Sequence, residues 1–218
     1  TVSLPTDITV SSDLIVSYTV LSTATPNLDY TSLSGSVTIA ANTNFATIPV
    51  PVLDDNLLEG DETVIVTLTT TNNVNILAGS PNNATITIDD DEDNDAEISI
   101  AGTTNGIEAT VPTNGLFTVS LPLGILANQD IEVLYTVSGG TATEGLDYSS
   151  LSGSLVIASG DNSATIDILV LDDDLLEGNE TVELTLSSAA TSLATVSAIP
   201  ATITIDDDED NDAEISIA

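Results

Sequence analysis

The chain has 218 residues, 41% of them hydrophobic, and its formal charge of −35 comes from 35 acids with no lysine, arginine or histidine. Nucleic acid and anionic lipid are gripped through Lys and Arg, so both are excluded as partners. The lack of Cys and His removes disulfides, thiol nucleophiles, soft-metal sites and the commonest general base. Such charge goes with disorder only when hydrophobicity is low. Here mean hydropathy is positive, so a buried core is expected, and no apolar run reaches membrane-spanning length.

The chain opens on Thr1-Val2-Ser3-Leu4-Pro5, which returns as Thr118-Val119-Ser120-Leu121-Pro122; it is expected to start inside a repeat and to be cut from something longer. Asp29-Tyr30 recurs as Asp147-Tyr148, and Leu33-Ser34-Gly35-Ser36 as Leu151-Ser152-Gly153-Ser154. Pro49 and Pro51 follow on one face of an expected strand and donate no amide there, which predicts a sheet edge. Leu53-Asp54-Asp55 and Leu57-Leu58-Glu59-Gly60 return as Leu171-Asp172-Asp173 and Leu175-Leu176-Glu177-Gly178. Runs such as Thr63–Leu68, Thr165–Val170, Thr181–Leu186 and Ala201–Ile205 alternate polar with apolar and are rich in β-branched residues, the pattern of half-buried strands. Gly, Asn, Asp and Ser clusters separate them. Fold class is therefore all-β, with about seven strands per repeat in an immunoglobulin-like sandwich.

The run Asp89-Asp90-Asp91-Glu92-Asp93-Asn94-Asp95-Ala96-Glu97-Ile98-Ser99-Ile100-Ala101 recurs unchanged from Asp206 to Ala218. These junctions divide the chain into an incomplete repeat at 1–95, a complete one at 96–212 and the start of a third at 213–218, stacked end to end. Without a Gly/Ser-rich connector the joint predicts little slack.

Acids collect where strands end: Glu108, Asp147, the loop from Asp172 to Glu177, and Asp206 to Asp208. Two like charges ~4 Å apart at an effective dielectric of ~20 cost roughly 4 kcal/mol, and no side chain here carries a compensating positive charge. Hard oxygen donors in this density point to calcium, which takes carboxylates, carbonyls and water in tolerant geometry. The alternative is a solvated acidic surface.

The ordered set Gly140-Thr141-Ala142-Thr143-Glu144-Gly145-Leu146-Asp147-Tyr148, Leu151 to Gly153, Val170 to Val182, and Ile205-Asp206-Asp207-Asp208 resembles the Calx-beta domain of sodium–calcium exchangers and large bacterial extracellular proteins, here in tandem. The resemblance implies several Ca2+ per repeat. It implies as ligands Glu108, Asp147, Asp172, Asp173, Glu177, Asp206, Asp207 and Asp208 in the second copy. In the first it implies Asp29, Asp54, Asp55, Glu59, Asp89, Asp90 and Asp91. Glu180 and Glu62 stand at the family's second loop glutamate. The first copy has no counterpart of Glu108, and Asn56 replaces Asp174, so its site is expected to be incomplete. Asp93, in the extension beyond the family pattern, is expected to complete an ion at the junction between repeats, against the plainer reading of a solvated linker.

The function expected is a structural, non-enzymatic calcium-binding segment of a rigid extracellular rod or fibre, an adhesin stalk or cell-surface filament. Adjacent repeats or identical subunits are the expected partners, with surface glycans or neighbouring fibres also in view. A calcium-sensing regulatory module is the alternative. A glycosidase using paired carboxylates is disfavoured, because Trp is absent and aromatics make up 3%. The four tyrosines are expected to be packing residues.

Overall fold

The computed structural model describes residues 1–92, 96–173, 175 and 177–207. Among them every regular element is a strand, as the period-two alternation predicts, and no helix is long and apolar enough to cross a membrane. In chain order the strands are β1 (Val2–Ser3), β2 (Leu14–Ser22), β3 (Ser36–Ile39), β4 (Phe45–Ala46), β5 (Leu57–Leu58), β6 (Glu62–Thr71), β7 (Asn83–Ile88), β8 (Glu97–Thr104), β9 (Gly106–Glu108), β10 (Gly115–Ser120), β11 (Leu126–Ala127), β12 (Ile131–Gly140), β13 (Ser154–Ile157), β14 (Ser163–Ile168), β15 (Glu180–Ala189), β16 (Thr195–Val196) and β17 (Ala201–Asp207). Two compact units result: Thr1–Asp55 with Gly60–Asp90, and Asn56–Glu59 with the chain from Asp91.

The second unit is a two-sheet sandwich. One sheet runs β14-β10-β8-β16 and the other β13-β12-β15-β17-β9. Alternation along each strand sets its inward face: Phe117 and Val119 on β10, Val182 and Leu184 on β15, and Ile203 and Ile205 on β17 are all buried. Burying each such side chain contributes about 1.5–3 kcal/mol. The opening strand changes sheets in mid-course, β8 pairing with β10 and β9 with β17. The crossing at Gly106 admits no side chain, since a Cβ there would lie 2.6 Å from the Val170 Cγ2 methyl. The unit also takes in Asn56–Glu59 from the first copy's aspartate-rich sequence. Here β5 pairs in parallel with β11, the Leu126 amide donates to the Asn56 carbonyl at 2.8 Å, and Leu58 joins the core.

The first unit has a four-stranded antiparallel sheet, β3-β2-β6-β7, and a short β1-β4 pair. Leu14, Val16 and Tyr18 face inward on β2 while Ile15 between them is 44% exposed, the pleat expected of a half-buried strand. Its apolar clusters are smaller than the core of the second unit. All four tyrosines are buried, as the sequence predicts.

The edge strand expected around Pro49 and Pro51 is corrected. The chain from Thr47 to Pro51 is irregular, and Val52 makes only an isolated bridge to Tyr30. In the second copy Asp167 and Leu169 stand at the proline positions, and β14 runs through to Ile168 against Gly115–Ser120. Two prolines remove two ladder donors.

Candidate metal centres

The same alternation that buries Ile205 also buries Asp207, two residues on, at 2% exposure. On β9 it turns Gly106 and Glu108 inward and Ile107 outward. Register then sets Asp207 opposite Glu108, so two buried carboxylates end adjacent strands at one pole of the sandwich. Asp206, on the opposite face of β17, is half-buried.

A third carboxylate arrives from the loop before Tyr148. There Gly145 takes φ +86°, and Asn27 takes φ +67° at the matching turn of the first unit, a conformation Gly and Asn accept most readily. The turn returns the Thr143 amide to the Asp147 carboxylate, while the Asp147 carbonyl accepts from the Leu171 amide at 3.0 Å. That second bond ties the Asp-Tyr turn to the aspartate-rich loop. The loop in turn donates the Asp173 amide to Glu108 Oε1 at 3.0 Å. Its far end turns at Gly178, φ +84°, and both Glu177 and Gly178 amides donate to Asp207 Oδ2, at 2.8 and 3.1 Å.

Carboxylate oxygens of Glu108, Asp147 and Glu177 consequently lie within 4.8 Å of one another. Calcium sits roughly 2.4 Å from each oxygen ligand, so two oxygens sharing an ion are at most about 4.8 Å apart. The donor set is oxygen alone and anionic, with Asp173 and Asp207 beside it, and it fits calcium rather than a thiolate- or imidazole-seeking metal. Burial pushes the Glu108 carboxyl up, and the charges of Asp173, Asp147 and Asp207 push it further, partly opposed by the Asp173 amide. Glu177 is raised by desolvation and then by Asp147, Asp173 and Asp207. Glu180 is raised to about 7, first by burial, then by a side-chain hydrogen bond with Asp147 and by the charges of Asp147, Glu177 and Glu108. All three shifts run in the direction that favours the protonated carboxyl in the ion-free pole.

The first unit repeats parts of this arrangement. Asp29 is buried, accepts from the Thr25 amide, and its carbonyl accepts from the Leu53 amide at 2.9 Å. Its carboxylate lies within 4.8 Å of that of Glu62. Asp90 accepts from the Gly60 amide at 2.9 Å. Asp54 and Asp89 are exposed and Asp55 half-buried, while Glu59 is half-buried beside the buried Leu58. Asp91 is exposed, with its carboxylate within 4.8 Å of that of Glu92. Asp172 is exposed and Asp173 half-buried. Asp93 and Asp208 lie outside the described residues. Glu62 lies by the buried Asp29 and Glu180 by the buried Asp147, at the positions where the resemblance sets the family's second loop glutamate.

Strand-end carboxylates converging without a basic side chain define a tandem of acid-poled β-sandwich modules built for cations. The Calx-beta domain pattern matches residues 2–92 and again 108–209. The chain belongs to the Calx-beta family, whose members are calcium-binding domains. Adhesion G-protein coupled receptor V1 of Danio rerio is 27% identical over 175 residues, 72% of this chain and 3% of that protein; the chain spans only a small part of that relative's length. Among solved structures, CBD12 from CALX1.2 is 18% identical with a TM-score of 0.40, over 90% of this chain and 88% of that one. The apo-form Calx CBD1 domain is 23% identical with a TM-score of 0.40, over 51% of this chain and 97% of its own.

Proposed function

We propose that this chain is a structural, non-catalytic segment of an extracellular rod or fibre, in which calcium neutralises and ties together the acidic poles of successive repeats. The observation that carries the reading is the convergence of Glu108, Asp147 and Glu177 from three separate segments within 4.8 Å, in a chain with no Lys, Arg or His. These three residues hold one ion, with Asp173 and Asp207 at hand for a second. In the first unit Asp29 and Glu62 play the corresponding part, and Asp54, Asp55, Asp89 and Asp90 extend it. The ion supplies positive charge where the fold has buried negative charge. Repeated copies joined by an acidic run, without a flexible connector, suit a spacer. Extracellular sites work at affinities of about 0.1–1 mM because ambient calcium is high there.

The test is calorimetric titration of calcium into the chelator-stripped chain, with X-ray scattering of the same samples. Saturable binding of several ions, weakened at least about tenfold by Asp147→Asn, together with a stiffer particle in calcium, is the expected result. Ions that bind without changing the scattering would remove the rod and leave a calcium-binding domain pair. No binding would remove the reading altogether.

A further inference from the structure

The strand that carries Glu108 lies between two Asn-Gly pairs, Asn105-Gly106 and Asn114-Gly115. β8 ends at Thr104 and β9 begins at Gly106, so Asn105 stands between them. After β9 the chain doubles back, and Ile107 and Thr113 exchange both backbone hydrogen bonds, at 2.8 and 2.9 Å. The two glycines let this turn close tightly. A Cβ on Gly115 would collide with Ile203 and lie 3.4 Å from the Gly106 nitrogen.

Every backbone amide needs an acceptor, and at this change of sheets two amides take theirs from the asparagine side chains. Asn105 Oδ1 accepts from the Thr204 amide at 3.1 Å, and Asn114 Oδ1 accepts from the Val170 amide at 3.2 Å. The positions share a spacing. Asn105 stands three residues before Glu108, Thr204 three before Asp207, and Val170 three before Asp173. Each of three segments is thus tied at the same step ahead of the carboxylate it delivers. For β17 the backbone register with β9 adds to the tie. The described residues from Leu171 to Asn179 form no strand, so the aspartate-rich loop takes its level from its anchors: Val170 on Asn114 and Leu171 on the Asp147 carbonyl.

We propose that Asn105 and Asn114 are positioning residues of the second unit's metal centre: their carboxamide oxygens hold Glu108, Asp173 and Asp207 at the level where the carboxylates converge. The proposal rests on the calcium reading above. Neither asparagine touches the ion. Outer hydrogen bonds of this kind matter because a carboxylate left free to swing has to be ordered on binding, and their loss lowers metal affinity about 10–100-fold. Asn114 has the larger share, since its bond to Val170 is part-buried while that of Asn105 to Thr204 faces water, which competes for both partners. A role confined to closing strand ends would change stability and leave the affinity of the folded chain as it was.

The test is nuclear magnetic resonance of the whole chain, with the Glu177 and Gly178 amides, which donate to Asp207, as reporters of this pole. Calcium titrations compare the unsubstituted chain with Asn114→Leu, of similar shape but without the acceptor, and with Asn114→Asp, which keeps it. Asn105→Leu and Asn105→Asp form a second pair. Affinity about 10–100-fold weaker in Asn114→Leu, less reduced in Asn105→Leu and restored in both aspartate variants is the expected result. Hydrogen exchange in chelator gives a reading without the ion: the Val170 and Asp173 amides should both lose protection in Asn114→Leu and keep it in Asn114→Asp. Leucine variants that bind calcium as tightly as the unsubstituted chain overturn the assignment. So do aspartate variants as weak as the leucine ones, or an Asn114→Leu chain that loses protection at Val170 alone. If Asn114→Leu does not fold, Asn114→Gln, which keeps the amide and shifts it by one methylene, takes its place with the same expectations. A chain that binds no calcium would remove the calcium reading, and exchange at the Asp173 amide would still decide whether Asn114 positions the loop.

Discussion

Glu180 is strongly altered by its surroundings. Its carboxyl is raised from 4.5 to about 7 by burial first, then by the hydrogen bond with Asp147 and the neighbouring acids. A folded-state pKa above the unfolded value means that the folded chain binds more protons. Stability from this source is complete below the unfolded pKa and is lost as pH rises through the folded one. The ion-free chain should therefore lose thermal stability from about pH 4.5 to about pH 7, with Glu108 and Glu177 adding in the same sense. Melting curves in chelator across this window should show the fall, and Glu180→Gln should flatten it; a flat profile for the unsubstituted chain would contradict the account. The acids of the site were legible as a set, because segments rich in Asp stand out against alternating strands. Their division into inward and outward members was not. Asp206 and Asp207 look alike in sequence, and only the phase of alternation inherited from Ile203 and Ile205 tells them apart.

Among the elements, β7 and β17 make an internal comparison. Their sequences match at Ala84-Thr85-Ile86-Thr87-Ile88 and Ala201-Thr202-Ile203-Thr204-Ile205, yet β7 is exposed along most of its length and β17 alternates between buried and open. Identical local pattern, unequal cover: burial here is settled by whether β8 lies over the strand. Ile203→Ala should cost about 2–5 kcal/mol, and Ile86→Ala less than about 1 kcal/mol, since most of the loss on truncation comes from enclosed surface. Urea unfolding of the two variants checks the contrast, and equal losses would refute it. The alternation made the strands readable, and the recurring segments made the two copies readable. Leu57 and Leu58 were not readable as core, because a leucine pair inside an acidic run looks like loop. Its burial depends on β11, far along the chain, and local propensity carries no record of such a partner. Pro49 and Pro51 erred the other way: an edge strand tolerates a proline, but not two consecutive lost donors when the partner strand is short.

At the level of the whole molecule the charge of −35 works against compaction through self-repulsion. Ordinary salt relieves part of that by screening, with a Debye length of about 10 Å at 0.1 M. Bound calcium does more, because each site at a hundredfold excess over its Kd adds about 2.7 kcal/mol to the folded state. At matched ionic strength calcium chloride should raise the melting temperature well above the value in sodium chloride. Equal shifts would reduce the acids to a screened surface.

The pairing of β9 with β17 has a mechanical side. β9 continues the opening stretch of the second unit, β17 is the last strand among the described residues, and they run parallel. Tension applied at the two ends drags them in opposite senses along a common axis. The hydrogen bonds between them are then loaded together, as a lap joint is loaded, instead of opening one after another like a zip. An ion shared across Glu108 and its neighbours would act as a rivet in that joint. Pulling single molecules with and without calcium would then separate resistance to force from resistance to heat.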